Sequence, residues 1–247
     1  VNDEASDMKI LKLFSDLNEK AQKEGGAVYS LLGNHELMNV LGDLRYVSYQ
    51  GLKEFENYKI DDKIIENGEE ARRKAFERGG EIANFLACTR QSALIIGSNL
   101  FVHGGIMPEL AEKYQVKDIN TLIRKWLLNK ISSDEELNKI IKSSDYSPFW
   151  FRLFGQMPKD LKKSNDYCQT SVDPVLDIYH VNNIIVGHTP QSFSSNDGIN
   201  STCDKKIWRV DVGMSDAFTI KNDDSYDDNR VVQILQILND REFTVIK

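Results

Sequence analysis

Three of the chain's four histidines follow one rule of placement. His35 comes after the apolar run 27–32, His103 after 100–102, and His188 after 184–186. Each stands among glycines: Gly33 two places before the first, with Asn34 between them, Gly104 and Gly105 after the second, and Gly187 before the third. In layered α/β sheets, ligands bind where strands run out into loops, and glycine there lets the backbone turn sharply and come close to a ligand. Neutral imidazole and an amide oxygen suit divalent ions such as zinc, iron and manganese. Two such ions about 4 Å apart clamp a phosphoryl group and generate a hydroxide for in-line attack. A phosphate ester also calls for a planar cation, which arginine supplies better than lysine, and Arg152 closes the aromatic-rich segment 147–152. The departing oxygen needs a proton, usually from a histidine titrating near neutrality, and both His35 and His180 could give it. His180 lacks the strand and glycine setting of the other three.

These residues need elements to hold them. Residues 6–24 read as an amphipathic helix, with Ser6 as cap, Ile10, Leu11, Phe14, Leu17 and Ala21 at helical spacing, and Gly25-Gly26 as stop. Residues 27–32 have the length of a strand. From Tyr49 to about Leu86 the pattern is mostly helical and heavily charged, broken at Gly79-Gly80. Strands are predicted over 93–97 and 100–102, a helical stretch over 119–142 with Ser133 and Glu136 as a capping box, and polar loop over 159–174. Short strands follow at 183–186 and 207–212, and 231–238 with 242–246 suggest a closing hairpin. Helices and strands alternate, which predicts a mixed α/β layered domain.

Composition sets broad limits. At 247 residues the chain is long enough for a sizeable core, and 40% hydrophobic with 28% charged residues is ordinary for a globular protein. No run of about 18 apolar residues occurs, so no membrane span is predicted. A net charge of −7 argues against broad nucleic-acid binding, which needs a cationic face. Cys88, Cys168 and Cys203 are odd in number, scattered and without metal-like spacing, so they read as structural thiols of a reducing, cytoplasmic type of compartment. Val1 is not an initiator methionine, and the chain is expected to begin inside a longer protein.

The ordered motifs Gly33-Asn34-His35-Glu36, His103-Gly104-Gly105 and Gly187-His188-Thr189-Pro190 resemble the phosphoprotein phosphatase family of calcineurin-like binuclear metallophosphoesterases. The stretch GNHELMNVLGDLRYVS, with SPFWFR and VDVGMSDAF (210–218), is most similar to its Shewanella-like branch, over residues 6–218. That resemblance implies a layered β-sandwich flanked by helices, in one catalytic domain over 1–247 with a helical insertion at about 49–92 and its first strands missing. It implies two divalent ions, manganese foremost with iron or zinc as alternatives, and a phosphoprotein or phosphopeptide substrate. Asn34, His103 and His188 match the ligands of one metal, with Asn34 also near substrate. His35 matches the histidine that protonates the leaving group, and Arg152 an arginine that grips phosphate. Glu36 matches a motif carboxylate that orders the loop. Two earlier family motifs, Gly-Asp-x-His-Gly and Gly-Asp-x-x-Asp-Arg-Gly, are not found in residues 1–247. They carry the other metal's ligands, and without them three ligands would hold one ion poorly. The alternatives are a small-molecule or dinucleoside-polyphosphate hydrolase and a catalytically inactive binding protein.

Further features are weighed beside the site. Arg45 and Tyr46 would line the substrate cleft or lie on a helix surface. Asp211 would lie near the site or bond loop amides at a strand end. The run EEARRKAFERGGE (69–81) reads as a solvated helical face, or else a lid; NDDSYDDN (222–229) reads as an acidic loop whose spacing fails a calcium motif. Trp126, Trp150 and Trp208 are expected in the core.

Overall fold

The computed structural model describes residues 7–191, 198–214, 221–222, 225–226 and 232–247. Its contacts gather into two compact units, residues 1–92 with 120–134 and residues 93–119 with 135–247. The class is mixed α/β, as expected. Among the described residues no helix is long and apolar enough to cross a membrane.

The first unit opens with helix α1 (Asp7–Lys23), which ends ahead of Gly25, where φ is +77°. Strand β1 is only Ser30–Leu31, shorter than the apolar run suggested, because its one partner is the equally short β4 (Arg90–Gln91), lying parallel to it. Helix α2 (Asn34–Val40) follows directly. The span expected to be helical from 49 onward is α3 (Tyr49–Lys53), α4 (Gly68–Phe76) and α5 (Glu81–Thr89), with a hairpin, β2 (Tyr58–Ile60) and β3 (Lys63–Ile65), between the first two. Asn57 and Asp61 at positive φ make the turns that helical periodicity hides.

The charged run 69–81 is not simply a solvated face. Arg72 within it is buried at 2% exposure. Its Nε donates to Asn39 Oδ1 (2.8 Å), Nη1 to the Gly51 carbonyl (2.9 Å) and Nη2 to Asp7 Oδ2 (2.6 Å). The guanidinium also lies over the rings of Phe55 and Phe76. A buried cation survives only when paired and fully hydrogen-bonded, and all three nitrogens here have partners.

The second unit is built on a five-stranded sheet in the order β5-β6-β7-β9-β8: β5 (Ala93–Ile96), β6 (Asn99–Val102), β7 (Asn183–Val186), β8 (Asn200–Thr202) and β9 (Ile207–Arg209). Strands β6, β7 and β9 run parallel, and the two edge strands are antiparallel to their neighbours. One face carries Phe101, Ile185, Trp208 and Val210, packed with Leu235, Ile237, Phe243 and Val245. The last four alternate along the closing hairpin, β12 (Ile234–Leu238) and β13 (Glu242–Ile246), so every second side chain faces the sheet. Trp208 stacks on Phe243 at 4.9 Å between centroids. Asp240, in the hairpin turn, accepts from Ser98 N and Asn99 Nδ2 and so ties it to the β5–β6 turn.

Helices α6 (Pro108–Lys113), α8 (Glu135–Lys142), α9 (Leu153–Gln156) and α10 (Asp173–Tyr179) complete this unit, while α7 (Val116–Leu127) passes into the first unit at residue 120. The helical stretch read over 119–142 is therefore two helices, and Ser133 is engaged by Trp126, whose Nε1 donates to Ser133 Oγ (3.0 Å). Residues 168–172, expected as loop, form a π-helical turn leading into α10. Polar composition concealed it, because the buried face of the turn and α10 rests on few side chains, Cys168, Val172, Val175, Leu176 and Tyr179.

Cys168 and Cys203 form a disulfide, with Cα atoms 5.7 Å apart, which corrects the reading of three separate thiols and removes its support for a reducing compartment. Cys88 is free and exposed. Short strands β10 (Lys221–Asn222) and β11 (Ser225–Tyr226) pair with each other, and the rest of the acidic run 222–229 lies outside the described residues.

Candidate active site

Parallel pairing of β6 with β7 aligns Val102 with Val186, so both strands end at the same rim. His103 and Gly187 are then neighbours, and Gly187 N donates to the His103 carbonyl (2.9 Å). His188 follows with φ of +63°, a left-handed conformation uncommon among residues other than glycine. The outcome is a direct meeting of two imidazoles, with His103 Nε2 3.0 Å from His188 Nδ1.

The other side of His188 fixes its tautomer. Nε2 is 3.2 Å from the Trp150 carbonyl, which can only accept, so Nε2 carries the hydrogen and Nδ1 presents a lone pair toward His103. Metal-ligating histidines are commonly oriented in this way, by a backbone carbonyl on the nitrogen remote from the ion. Two nitrogens 3.0 Å apart also match adjacent donors around a small ion with metal–nitrogen bonds of about 2.1 Å. The donor pair therefore fits a divalent ion. Among the described residues, no cluster of three or more His, Cys, Asp and Glu side chains is gathered.

The segment 147–154 reaches this rim because the glycines after His103 make room for it. Gly104 N donates to the Pro148 carbonyl (2.8 Å), and a Cβ on Gly104 would stand 2.7 Å from the Phe151 carbonyl oxygen. Trp150, expected in the core, is half-buried, and its carbonyl and ring edge both meet His188. Trp126 and Trp208 are buried as expected. Arg152 is exposed, and its Nη1 donates to the His188 carbonyl (2.9 Å), which anchors the guanidinium beside the histidine pair.

Behind His188 runs a buried relay that the sequence did not announce. Gln191 Nε2 donates to the Thr189 carbonyl (2.8 Å), Asn200 Nδ2 donates to Gln191 Oε1 (3.0 Å), and Arg209 Nε donates to Asn200 Oδ1 (2.7 Å). Its members come from separate strands and loops, so no local spacing could signal it. Asp211 takes the plainer of its two roles: its Oδ1 accepts from Gly213 N (3.0 Å) at a strand end.

The opening motif belongs to the first unit. Asn34 is buried at the first position of α2, and His35 beside it is exposed. Glu36 reaches back to accept from Gly33 N (2.7 Å), ordering the helix start as the resemblance implied. Burial pushes the Glu36 carboxyl above its ordinary range, and the Gly33 amide opposes this. Asn39 Nδ2 donates to the His35 carbonyl (2.9 Å), and the His35 ring stacks on Tyr46. Of the predicted site residues, then, His103, His188 and Arg152 are brought together in one unit, while Asn34 and His35 adjoin in the other. His180 is the left-handed C-cap of α10 and is exposed, a turn role that suits its setting.

Residues 2–192 match the calcineurin-like phosphoesterase family model. An uncharacterized protein of Acanthamoeba polyphaga mimivirus is 40% identical, over 94% of this chain and 97% of that protein. Shewanella-like protein phosphatase 2 of Arabidopsis thaliana is 29% identical over 85% of this chain, and an uncharacterized Schizosaccharomyces pombe protein 31% over the same share. The chain spans 59% of the plant relative and 58% of the yeast one, a little over half of each. Among solved structures, a mutant cold-active protein tyrosine phosphatase superposes with a TM-score of 0.60 at 24% identity, covering 83% of this chain and 55% of that one. The cold-active protein-tyrosine phosphatase of a psychrophilic Shewanella species gives 0.56 at 22%, with the same coverage. The chain belongs to the calcineurin-like phosphoesterase family, metal-dependent hydrolases, and its relatives and neighbours group it with the Shewanella-like phosphatases.

Proposed function

We propose that the protein hydrolyses phosphomonoesters on protein substrates with the aid of two divalent ions, manganese foremost. The observation that carries the reading is the facing pair His103 Nε2 and His188 Nδ1, with the Trp150 carbonyl holding the hydrogen on the far side of His188. His103 and His188 would hold one such ion, and Asn34 matches a further ligand of the family motif. When bound, the ions neutralise phosphate charge and acidify water. Arg152, anchored on the His188 carbonyl, binds the non-bridging phosphate oxygens and keeps the ester in line. His35 gives a proton to the departing alcohol oxygen, which spares that oxygen a full negative charge. The plant and Plasmodium berghei relatives, both Shewanella-like protein phosphatases, support a phosphoprotein substrate.

The test uses the full-length protein with manganese, phosphopeptides and dinucleoside polyphosphates. Metal-dependent release of phosphate from phosphopeptides is expected, and His103→Ala should reduce it to background. Undiminished turnover in that variant refutes the assignment, and preference for the nucleotides refutes the substrate class.

A further inference from the structure

Tyr46 is remote from His35 in sequence, yet their ring centroids lie 5.1 Å apart with the planes only 6° from parallel. The chain reaches this position by a defined route. Helix α2 closes with Gly42 at φ +75°, where Gly42 N donates to the Asn39 carbonyl (2.9 Å) and Asp43 N to the Met38 carbonyl (2.8 Å). This paired closure turns the chain back alongside the helix it has just left. Four residues of extended chain reach about 13 Å. The seven residues of α2 span about 10 Å, so the return to the helix start is covered.

The returning segment is held, not loose. Leu44 is buried, Arg45 Nε donates to Asp43 Oδ1 (2.9 Å), and Val47 N donates to the Leu44 carbonyl (2.9 Å), closing a turn with Tyr46 inside it. Tyr46 itself stays 64% exposed. A tyrosine kept for packing energy would be buried, whereas among the described residues the ring that this one stacks on is the imidazole. Of the two readings of Tyr46, helix surface and site lining, the stack favours the second.

We propose that Tyr46 is a positioning residue: laid flat against His35, its ring restricts the imidazole to the orientation from which it protonates the leaving oxygen. This rests on the reading of His35 as the general acid. A misplacement of about 1 Å in such a group costs up to about 100-fold. Losing one restraining face should cost about tenfold on esters that need the proton.

The experiment compares two substrates of the full-length, manganese-supplemented protein. A phosphoserine peptide leaves as an alkoxide and needs protonation; p-nitrophenyl phosphate leaves as a stable phenolate and needs little. In Tyr46→Ala the ratio of kcat for the peptide to kcat for the aryl ester should fall about tenfold with KM little changed. Tyr46→Phe, which keeps the stack, should restore the ratio to within about twofold of the parent. Equal losses on both substrates would show a merely structural role and overturn the proposal. A second readout needs no turnover: in metal-free protein, carbon-edited NMR of the His35 ring should show an upfield ring-current shift that survives in Tyr46→Phe and vanishes in Tyr46→Ala. An unchanged shift in Tyr46→Ala also overturns it. His35→Ala separates the two layers of inference. If that variant leaves the substrate ratio unaltered, the acid assignment has failed and the proposal with it. If it lowers the ratio and Tyr46→Ala does not, only the role of Tyr46 has failed.

Discussion

Each unit ties a buried arginine, through side-chain amides, to the backbone at or beside a histidine of the candidate site. In the first, Arg72 bonds Asn39, and Asn39 bonds the His35 carbonyl. In the second, Arg209 bonds Asn200, Asn200 bonds Gln191, and Gln191 bonds the carbonyl of Thr189, next to His188. The relays differ in how the cation is balanced. Arg72 has the Asp7 carboxylate at 2.6 Å and two aromatic faces. Arg209 donates to Asn200 and the Met157 carbonyl, and among the described residues its Nη2 has no hydrogen-bond partner and no carboxylate lies within ion-pair distance. Burial accordingly depresses the Arg209 pKa, with only Asp160 opposing. Removing a buried arginine that is paired with a carboxylate strands its partners, whereas removing an unpaired one also relieves the cost of burying its charge.

The difference can be sharpened by mutation. Arg72→Met should cost the most, about 3 kcal/mol of unfolding free energy, because Asn39 Oδ1 and the Gly51 carbonyl lose their buried donor. Chemical denaturation measures it, and a loss no larger than that of Arg209→Met would break the comparison. Arg209→Met should cost only about 1 kcal/mol, since removing an unbalanced cation offsets part of the lost bonding. Its larger effect should fall on metal affinity, through the loop that carries His188, as titration calorimetry with manganese would reveal. The smallest effect belongs to a tie of a third kind. The Ser98 amide, aided by the Asn99 side chain, holds the exposed Asp240 carboxyl below its usual range. A depressed carboxylate contributes stability above its unfolded pKa of about 3.9 and loses it as pH falls through the lower folded value. Asp240→Ala should therefore lower the thermal midpoint slightly at neutral pH, and this difference from the parent should fade in acid. A difference that persists undiminished in acid would deny the carboxylate its role.

Much of the site was legible locally. A glycine-flanked histidine after an apolar run reports a strand end whatever the remaining fold, and all three such histidines lie at element ends. The alternation of 234–246 likewise declared a hairpin. The π-helical turn at 168–172 and the β2–β3 hairpin were hidden, one by polar composition and the other by charge at helical spacing. Arg72 was misjudged as solvated because nothing in an arginine-rich run marks which guanidinium is buried. That depends on Asp7, Asn39 and Gly51, all distant in sequence.

The sequence by itself determined the residue types at the strand ends, the glycines that admit the segment 147–154, and through them the family. These are consequences of short-range stereochemistry, readable wherever they occur. Only the tertiary structure decided that β6 and β7 run parallel in register, which sets the two imidazoles nitrogen to nitrogen. It alone decided which carbonyl orients His188, which ring lies on His35 and which cysteines join. Those pairings depend on how remote segments pack, a balance of burial against chain entropy that no local pattern encodes.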